Sequence, residues 1–165
     1  MIKSDFKAFL KRSPSKSRFA VIINPNFHTV FLFRLACFFY KIKLEFISKI
    51  IWYINRVLFS VDIDYRAKIE KGFVLVHGIG TVIGRDVIIG NYVTIYQGVT
   101  LGGTGKKKKM NNIEISQPYV GDNCTIYSNA CIYGPCIIGE RSIIGANTVL
   151  FNRDIQKNSI YKNQA

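Results

Sequence analysis

Acidic residues are scarce in this 165-residue chain. Ten Asp and Glu stand against 23 Lys and Arg, leaving a formal charge of +13. That imbalance favours an acidic partner: a nucleotide-like cofactor, a phosphorylated substrate, an anionic membrane or nucleic acid. Histidine is rarer still, with His28 and His77 alone, and the four cysteines (Cys37, Cys124, Cys131, Cys136) do not cluster with them at metal-ligand spacings. No metal centre is expected, and the thiols read as small buried side chains of a reducing compartment. An uninterrupted apolar run of about 20 residues, the length of a membrane span, is missing. Neither a helix-turn-helix nor a zinc arrangement is present, so nucleic acid is not the expected partner. The opening stretch, Met1 to Arg18, is polar and basic without an apolar core, which excludes a secretory signal and points to a cytoplasmic protein. Disorder is excluded in turn, because 48% of the residues are hydrophobic.

What the chain has is a repeat, running from Val61 to Leu150. Val120, Ile126, Ile132, Ile138, Ile144 and Leu150 fall six apart, and upstream Ile83, Ile89, Ile95 and Leu101 keep the same step, as do Ile63, Ile69 and Leu75. Four positions after most of them stands a small or β-branched residue: Val87, Val93, Val99, Cys124, Ala130, Cys136, Ser142, Thr148. No helix has that period, and simple strand alternation would not hold one aliphatic phase for six steps. A hexad fits a short strand plus a tight turn, three of which close one triangular coil of a parallel β-helix. The aliphatic residues then stack from coil to coil into a column that no single repeat buries alone. The fold class is therefore mainly β, a β-helix of hexapeptide repeats with a short N-terminal helical cap.

Residues 1–60 read as a basic lead and that cap, and residues 61–165 as the β-helix domain. Met1 to Arg18 is expected to fray. Asn24-Pro25-Asn26 is a turn that starts a helix, with Phe27 to Tyr40 and Glu45 to Phe59 as two helices. These helices mix aromatics with Arg34, Lys41, Lys43, Lys49 and Arg56, which suits a cap on the first coil and also peripheral contact with an anionic membrane at its inner face.

Two interruptions break the hexads, and function is expected where a consistent pattern breaks. From Leu75 to Ile83 the step is eight, just after His77 in HGIGT; from Leu101 to Val120 it is nineteen, so a loop over residues 102–118 leaves the coil and returns. A glycine-flanked bulge opens the wall and frees backbone N–H groups for a ligand. A neutral imidazole in it can take a proton from an acceptor hydroxyl. Asp62, fifteen residues earlier and one coil back, is the candidate carboxylate to orient it, with Asp64 as its rival. His28, after the NPN turn, reads as structural. The loop's Lys106 to Lys109 is either a solvated run or a cationic attractor for phosphate.

VDIDYRAKIEKGFVLVHGIGTVIG followed by TIYQGVTLGGTGK resembles the serine O-acetyltransferase branch of the hexapeptide-repeat acyltransferases, and NPNFHTVFLFRLACFFY is similar to the helix leading into that family's β-helix. The resemblance implies a left-handed β-helix, a homotrimer, and acetyl-CoA as cosubstrate in the groove between subunits. It implies His77 as general base paired with Asp62, and Gly103, Thr104, Lys106, Ser128 and Ala146 along the cofactor channel. Three positions depart from the family pattern: Val76 stands where the family has an aspartate, and Ser116-Gln117 where it has an Arg-His pair. A zwitterionic serine needs charged partners in a dry site. With the catalytic pair kept and the charged clamp lost, the chain resembles the short acetyltransferases of capsule, O-antigen and exopolysaccharide synthesis, which implies a saccharide hydroxyl as acceptor, on a free, nucleotide-linked or lipid-linked glycan. Tyr96, Gln97, Asn112 and Gln117 would bind it through hydrogen bonds and an aromatic face. The alternatives are serine itself, as in cysteine biosynthesis, and a non-catalytic β-helix scaffold.

Overall fold

The structure is a computed structural model that describes residues 1–110 and 113–163. Four helices come first: α1 (Ile2–Arg12), α2 (Arg18–Ile22), α3 (Pro25–Lys41) and α4 (Glu45–Phe59). Five coils follow. The first is β1 (Asp62–Ile63), β2 (Lys68–Ile69) and β3 (Val74–Val76); the second is β4 (Val82–Ile83), β5 (Ile88–Ile89) and β6 (Thr94–Tyr96). The third starts with β7 (Thr100–Gly102), leaves the coil through an antiparallel hairpin of β8 (Lys108–Met110) and β9 (Ile113–Ile115), and resumes with β10 (Tyr119–Val120) and β11 (Thr125–Ile126). The fourth is β12 (Cys131–Tyr133), β13 (Ile137–Ile138) and β14 (Ile143–Ile144). The fifth is β15 (Val149–Phe151), a bridge from Ile155 to Ile138, and β16 (Ile160–Tyr161). The repeat thus outlasts Leu150, where the hexads become hard to see.

Equivalent strands pair in parallel and make three sheets: β1-β4-β7-β12-β15, β2-β5-β10-β13 and β3-β6-β11-β14-β16. The register places like on like. In the first sheet Ile63, Ile83, Leu101, Ile132 and Leu150 form one column. Ile69, Ile89, Val120 and Ile138 form the second. Leu75, Ile95, Ile126 and Ile144 form the third. All of these are buried. Each such side chain contributes about 1.5–3 kcal/mol on removal from water. The small turn residues Val87, Val93, Val99, Cys124, Ala130, Cys136, Ser142 and Thr148 are buried beside them and let the corners close. Close stacking leaves no room at some turns: a Cβ on Gly121 would lie 2.7 Å from the backbone nitrogen of Glu140 one coil on.

The basic lead is folded, contrary to the expectation that it frays. Asp5 of α1 is fully buried. Its carboxylate accepts from the backbone of Gly72 (2.7 Å) and Phe73 (3.0 Å) and from Arg34 Nε (3.0 Å). Arg34 also donates to the carbonyls of Ile69 and Glu70. One ion pair thus ties α1 and α3 to the first coil, and the partners lie too far apart in sequence for local reading to join them. Phe9, Val21, Val30 and Phe33 extend the coil's own core into the helices. α3 begins where the NPN turn requires: Asn24 caps it by accepting from Asn26 N (2.9 Å), with Pro25 in its first turn. α4 ends on Ser60, in the left-handed conformation at φ 52°, and β1 starts two residues later.

Candidate active site

The extra residues of the widened coil lie between β3 and β4. Ile83 follows Ile63 by twenty residues, whereas Leu101 follows Ile83 by eighteen. His77 turns the chain in the left-handed region at φ 56°, which a β-branched residue would resist. The bulge is held on all sides. Gly78 N donates to Asn26 Oδ1 (2.8 Å). Ile79 N donates to the His77 carbonyl, Gly80 N to Ser60 O (2.8 Å), and Gly98 N to Ile79 O (2.9 Å). The two glycine N–H groups expected to be free for a ligand are therefore engaged. What they provide instead is a fixed mount for the imidazole. The His77 ring is exposed and lines a cleft of about 300 Å³ with Asn26, Thr29, Leu58, Phe59 and Ile79. No described residue hydrogen-bonds to it.

Asp62 opens the first sheet at the same corner, since Gly80 bonds Ser60 and Asp62 N bonds Thr81 O (2.9 Å). Its carboxylate, however, faces α4. Trp52 Nε1 donates to Oδ1 at 3.0 Å, and Arg56 Nη1 lies 3.2 Å from Oδ2. Asp62 and His77 share a corner but not a hydrogen bond, so the expected contact is not made here. The side chain of a residue next to inward-facing Ile63 must point out of the coil, and α4 covers that face. Asp64, the rival, is taken by its own turn: Arg66 reaches it with Nη2 (2.7 Å), Nε (2.9 Å) and backbone N (2.9 Å). Burial would raise its carboxyl, but the Arg66 contacts outweigh that and hold it below its ordinary value. His28 is structural, its Nε2 2.5 Å from Ile22 O.

Below His77, the same edge of the prism carries more of the candidates. Gln97 O accepts from Asn129 N and Ser128 O from Asn147 N, each at 2.9 Å, which lines up Gln97, Ser128 and Ala146 on successive coils. Gln97 Oε1 is buried with no described partner, an acceptor lacking a donor. Tyr96 stacks on Tyr127 with ring centroids 4.9 Å apart.

The loop candidates sit elsewhere. Strands of the first sheet all begin at the His77 edge and end at the opposite one, and Gly103, Thr104, Lys106 and Gln117 lie at that opposite edge. Thr104 Oγ1 donates to Asn152 Oδ1 (3.0 Å), Gln117 Oε1 accepts from Asp86 N (3.4 Å), and Lys106 is exposed. Lys107 pairs with Glu114 (2.8 Å), which raises its pKa, and Lys108 pairs with Asp154. Asn112 lies outside the described residues. Sequence reasoning missed Asn26, Trp52 and Arg56; the lone tryptophan and the NPN turn were the signals available.

The bacterial transferase hexapeptide (six repeats) family matches residues 117–152. Over 154 residues the chain is 36% identical to a serine acetyltransferase of Bacillus subtilis (strain 168), covering 92% of this chain and 69% of the relative. It belongs to the serine acetyltransferase family. Among solved structures it is similar to a serine acetyltransferase in complex with CoA, at TM-score 0.86 and 27% identity over 98% of this chain. It is also similar to the Neisseria gonorrhoeae serine acetyltransferase in complex with serine, at TM-score 0.84 and 27% identity over 96%. The chain spans 65% and 64% of those two solved chains. The coil is the left-handed hexapeptide β-helix of that family. These matches overturn the saccharide acceptor, because the relatives are named for serine. They also remove the non-catalytic scaffold. The clamp argument rested on positions 76, 116 and 117 alone, whereas charge reaches this corner from α4 through Arg56 and from β1 through Asp62.

Proposed function

We propose that this chain is an acetyl-CoA-dependent serine O-acetyltransferase. The observation that carries the reading is an exposed histidine on a fixed bulge, in a chain of this family. His77 accepts the proton of the serine hydroxyl as the oxygen attacks the thioester carbon; the C–O bond forms, the C–S bond breaks, and the proton passes to the departing thiolate. A proton acceptor of this kind supplies typically about 10²–10⁴-fold. Arg56 and Asp62 provide one cation and one carboxylate for an acceptor carrying one of each sign. Tyr96 and Gln117 are kept as contacts on the acceptor side.

The active unit in this reading is a homotrimer. One side of the coil is six residues, on the order of 20 Å at about 3.3 Å per residue. A single chain therefore holds His77, Ser128 and Ala146 apart from Gly103, Thr104 and Lys106. Placing the loop edge of one copy against the His77 edge of the next brings both sets to one acetyl-CoA, with Lys106 toward its phosphates. Exposed Val149 (59%) and Phe151 (63%) on the outer face of the first sheet suit such an interface. The four free thiols fit a cytoplasmic setting.

The test is direct. Purified protein is given acetyl-CoA and L-serine, and free CoA thiol is followed with mass analysis of the product. Serine-dependent thiol release with formation of O-acetylserine is expected, and L-alanine, which lacks the hydroxyl, should give none. Absence of serine-dependent release would refute the reading.

A further inference from the structure

α4 is apolar on two sides. Its buried residues are Ser48, Ile51 and Asn55. The two polar ones are tied to carbonyls of α3, Ser48 Oγ to Ala36 O (2.9 Å) and Asn55 Nδ2 to Thr29 O (3.1 Å). Its solvent side carries Phe46 (76% exposed), Ile50, Tyr53 (63%) and Val57 (61%), spaced as one helical stripe. Ile47, Ile51 and Trp52 pack inward against Ala36 and Tyr65, so the exposed stripe is a second apolar face, where a surface helix ordinarily turns polar residues to water. Phe31, Phe38 and Lys41 of α3 are exposed as well, and so are all three residues of the connection, Ile42, Lys43 and Leu44. Exposed apolar side chains thus occur on both helices and on their connection, interspersed with Lys41, Lys43, Lys49 and Arg56.

Charge decides what covers them. Residues 1–60 hold eleven Lys and Arg against Asp5 and Glu45, so they carry +9 of the chain's +13. Asp5 is buried against Arg34, and Glu45 is held by Tyr65 OH (2.9 Å) beside Lys49 (3.6 Å). Six of the eleven cations lie in residues 1–18 and Arg34 is in the buried pair; the hairpin itself exposes Lys41, Lys43, Lys49 and Arg56, and a second copy would bring the same four cations to this face. An anionic surface is attracted by it. No described helix is long and apolar enough to cross a membrane.

We propose that the α3–α4 hairpin is a peripheral docking surface for anionic lipid bilayers. Phe38, Ile42, Leu44 and Phe46 enter the boundary between headgroups and acyl chains, while Lys41, Lys43 and Lys49 meet lipid phosphates. None of these residues belongs to the acetyl-transfer site, so the proposal stands apart from that reading.

The full chain is spun down with vesicles of phosphatidylcholine, with and without phosphatidylglycerol. Binding to the anionic vesicles is expected, weakened by at least about tenfold when salt is raised from about 0.05 to about 0.5 M. The double variant Phe38→Ser/Phe46→Ser should lose vesicle binding by at least about tenfold, and Lys41→Glu/Lys43→Glu likewise, each with unchanged circular dichroism and thiol release. Three results would overturn the proposal: no binding to anionic vesicles, equal binding to neutral ones, or binding indifferent to both variants. So would a change in oligomeric mass on Phe38→Ser/Phe46→Ser without vesicle binding by the parent, which would assign the face to a second copy.

Discussion

The coil is interrupted at two edges, and the interruptions are built differently. The short one, at His77, is fixed by backbone and side-chain hydrogen bonds from α3, the start of β1 and the next coil. The long one, over residues 102–118, folds into a hairpin held to the coil by hydrogen bonds of Thr104, Ser116 and Gln117 and by the Lys108–Asp154 pair. The first holds a potential base at a set place, and the second offers glycines and cations at the surface. Both are anchored, and the difference teaches that a two-residue widening fixes one side chain in the wall, where a proton acceptor needs a rigid mount, whereas a long insertion adds a hairpin outside it.

The contrast can be broken most severely at His77. Asparagine tolerates the left-handed backbone that alanine would strain. His77→Asn should therefore cut serine-dependent thiol release about 10²–10⁴-fold while leaving the melting temperature in place. The regular wall is next. Ile132→Ala, in a fully buried column, should cost about 2–5 kcal/mol in urea unfolding. Removing the support of the bulge comes third: Asn26→Ala leaves Gly78 N without its acceptor, costing about 1–3 kcal/mol, and turnover should fall more than substrate affinity as the ring loses its mount.

Alkaline pH separates the wall from its edges more gently. Burial pushes the Cys124 thiol up, and the Cys136 thiol from 9.0 to about 11. The folded state holds these protons more tightly than the unfolded one, so stability is full below pH 9.0 and falls as pH rises toward about 11. Urea midpoints on either side of pH 9.0 would show it, and replacing Cys136 by alanine should flatten the trend. The smallest effect belongs to the loop. Lys108→Ala removes a partly exposed ion pair and should change stability by about 0–1 kcal/mol.

The coil was legible because hexads are local: Ile126, Ile132 and Ile138 announce their own positions, and the insertion after His77 shows as a slipped step. Contacts between distant segments were not. Nothing near Asp5 says that it will be buried against Gly72, and nothing near Asn26 says that it will hold Gly78. The direction of the Asp62 carboxylate depended on α4 lying over β1, which no spacing reveals. The acceptor was misread because three substituted positions were weighed above the likeness of the whole chain to relatives named for serine.

The central claim is that one active site draws His77 from one copy and the GGTG run from the next. Mixing two inactive variants tests it: His77→Asn, and a variant with Gly103 and Thr104 both replaced by Val. After equal subunits are unfolded and refolded together, a trimer with shared sites should regain about a quarter of wild-type serine-dependent thiol release, because each site takes its two halves from different chains. No recovery in the mixed trimers would contradict the account, placing both halves in a single chain.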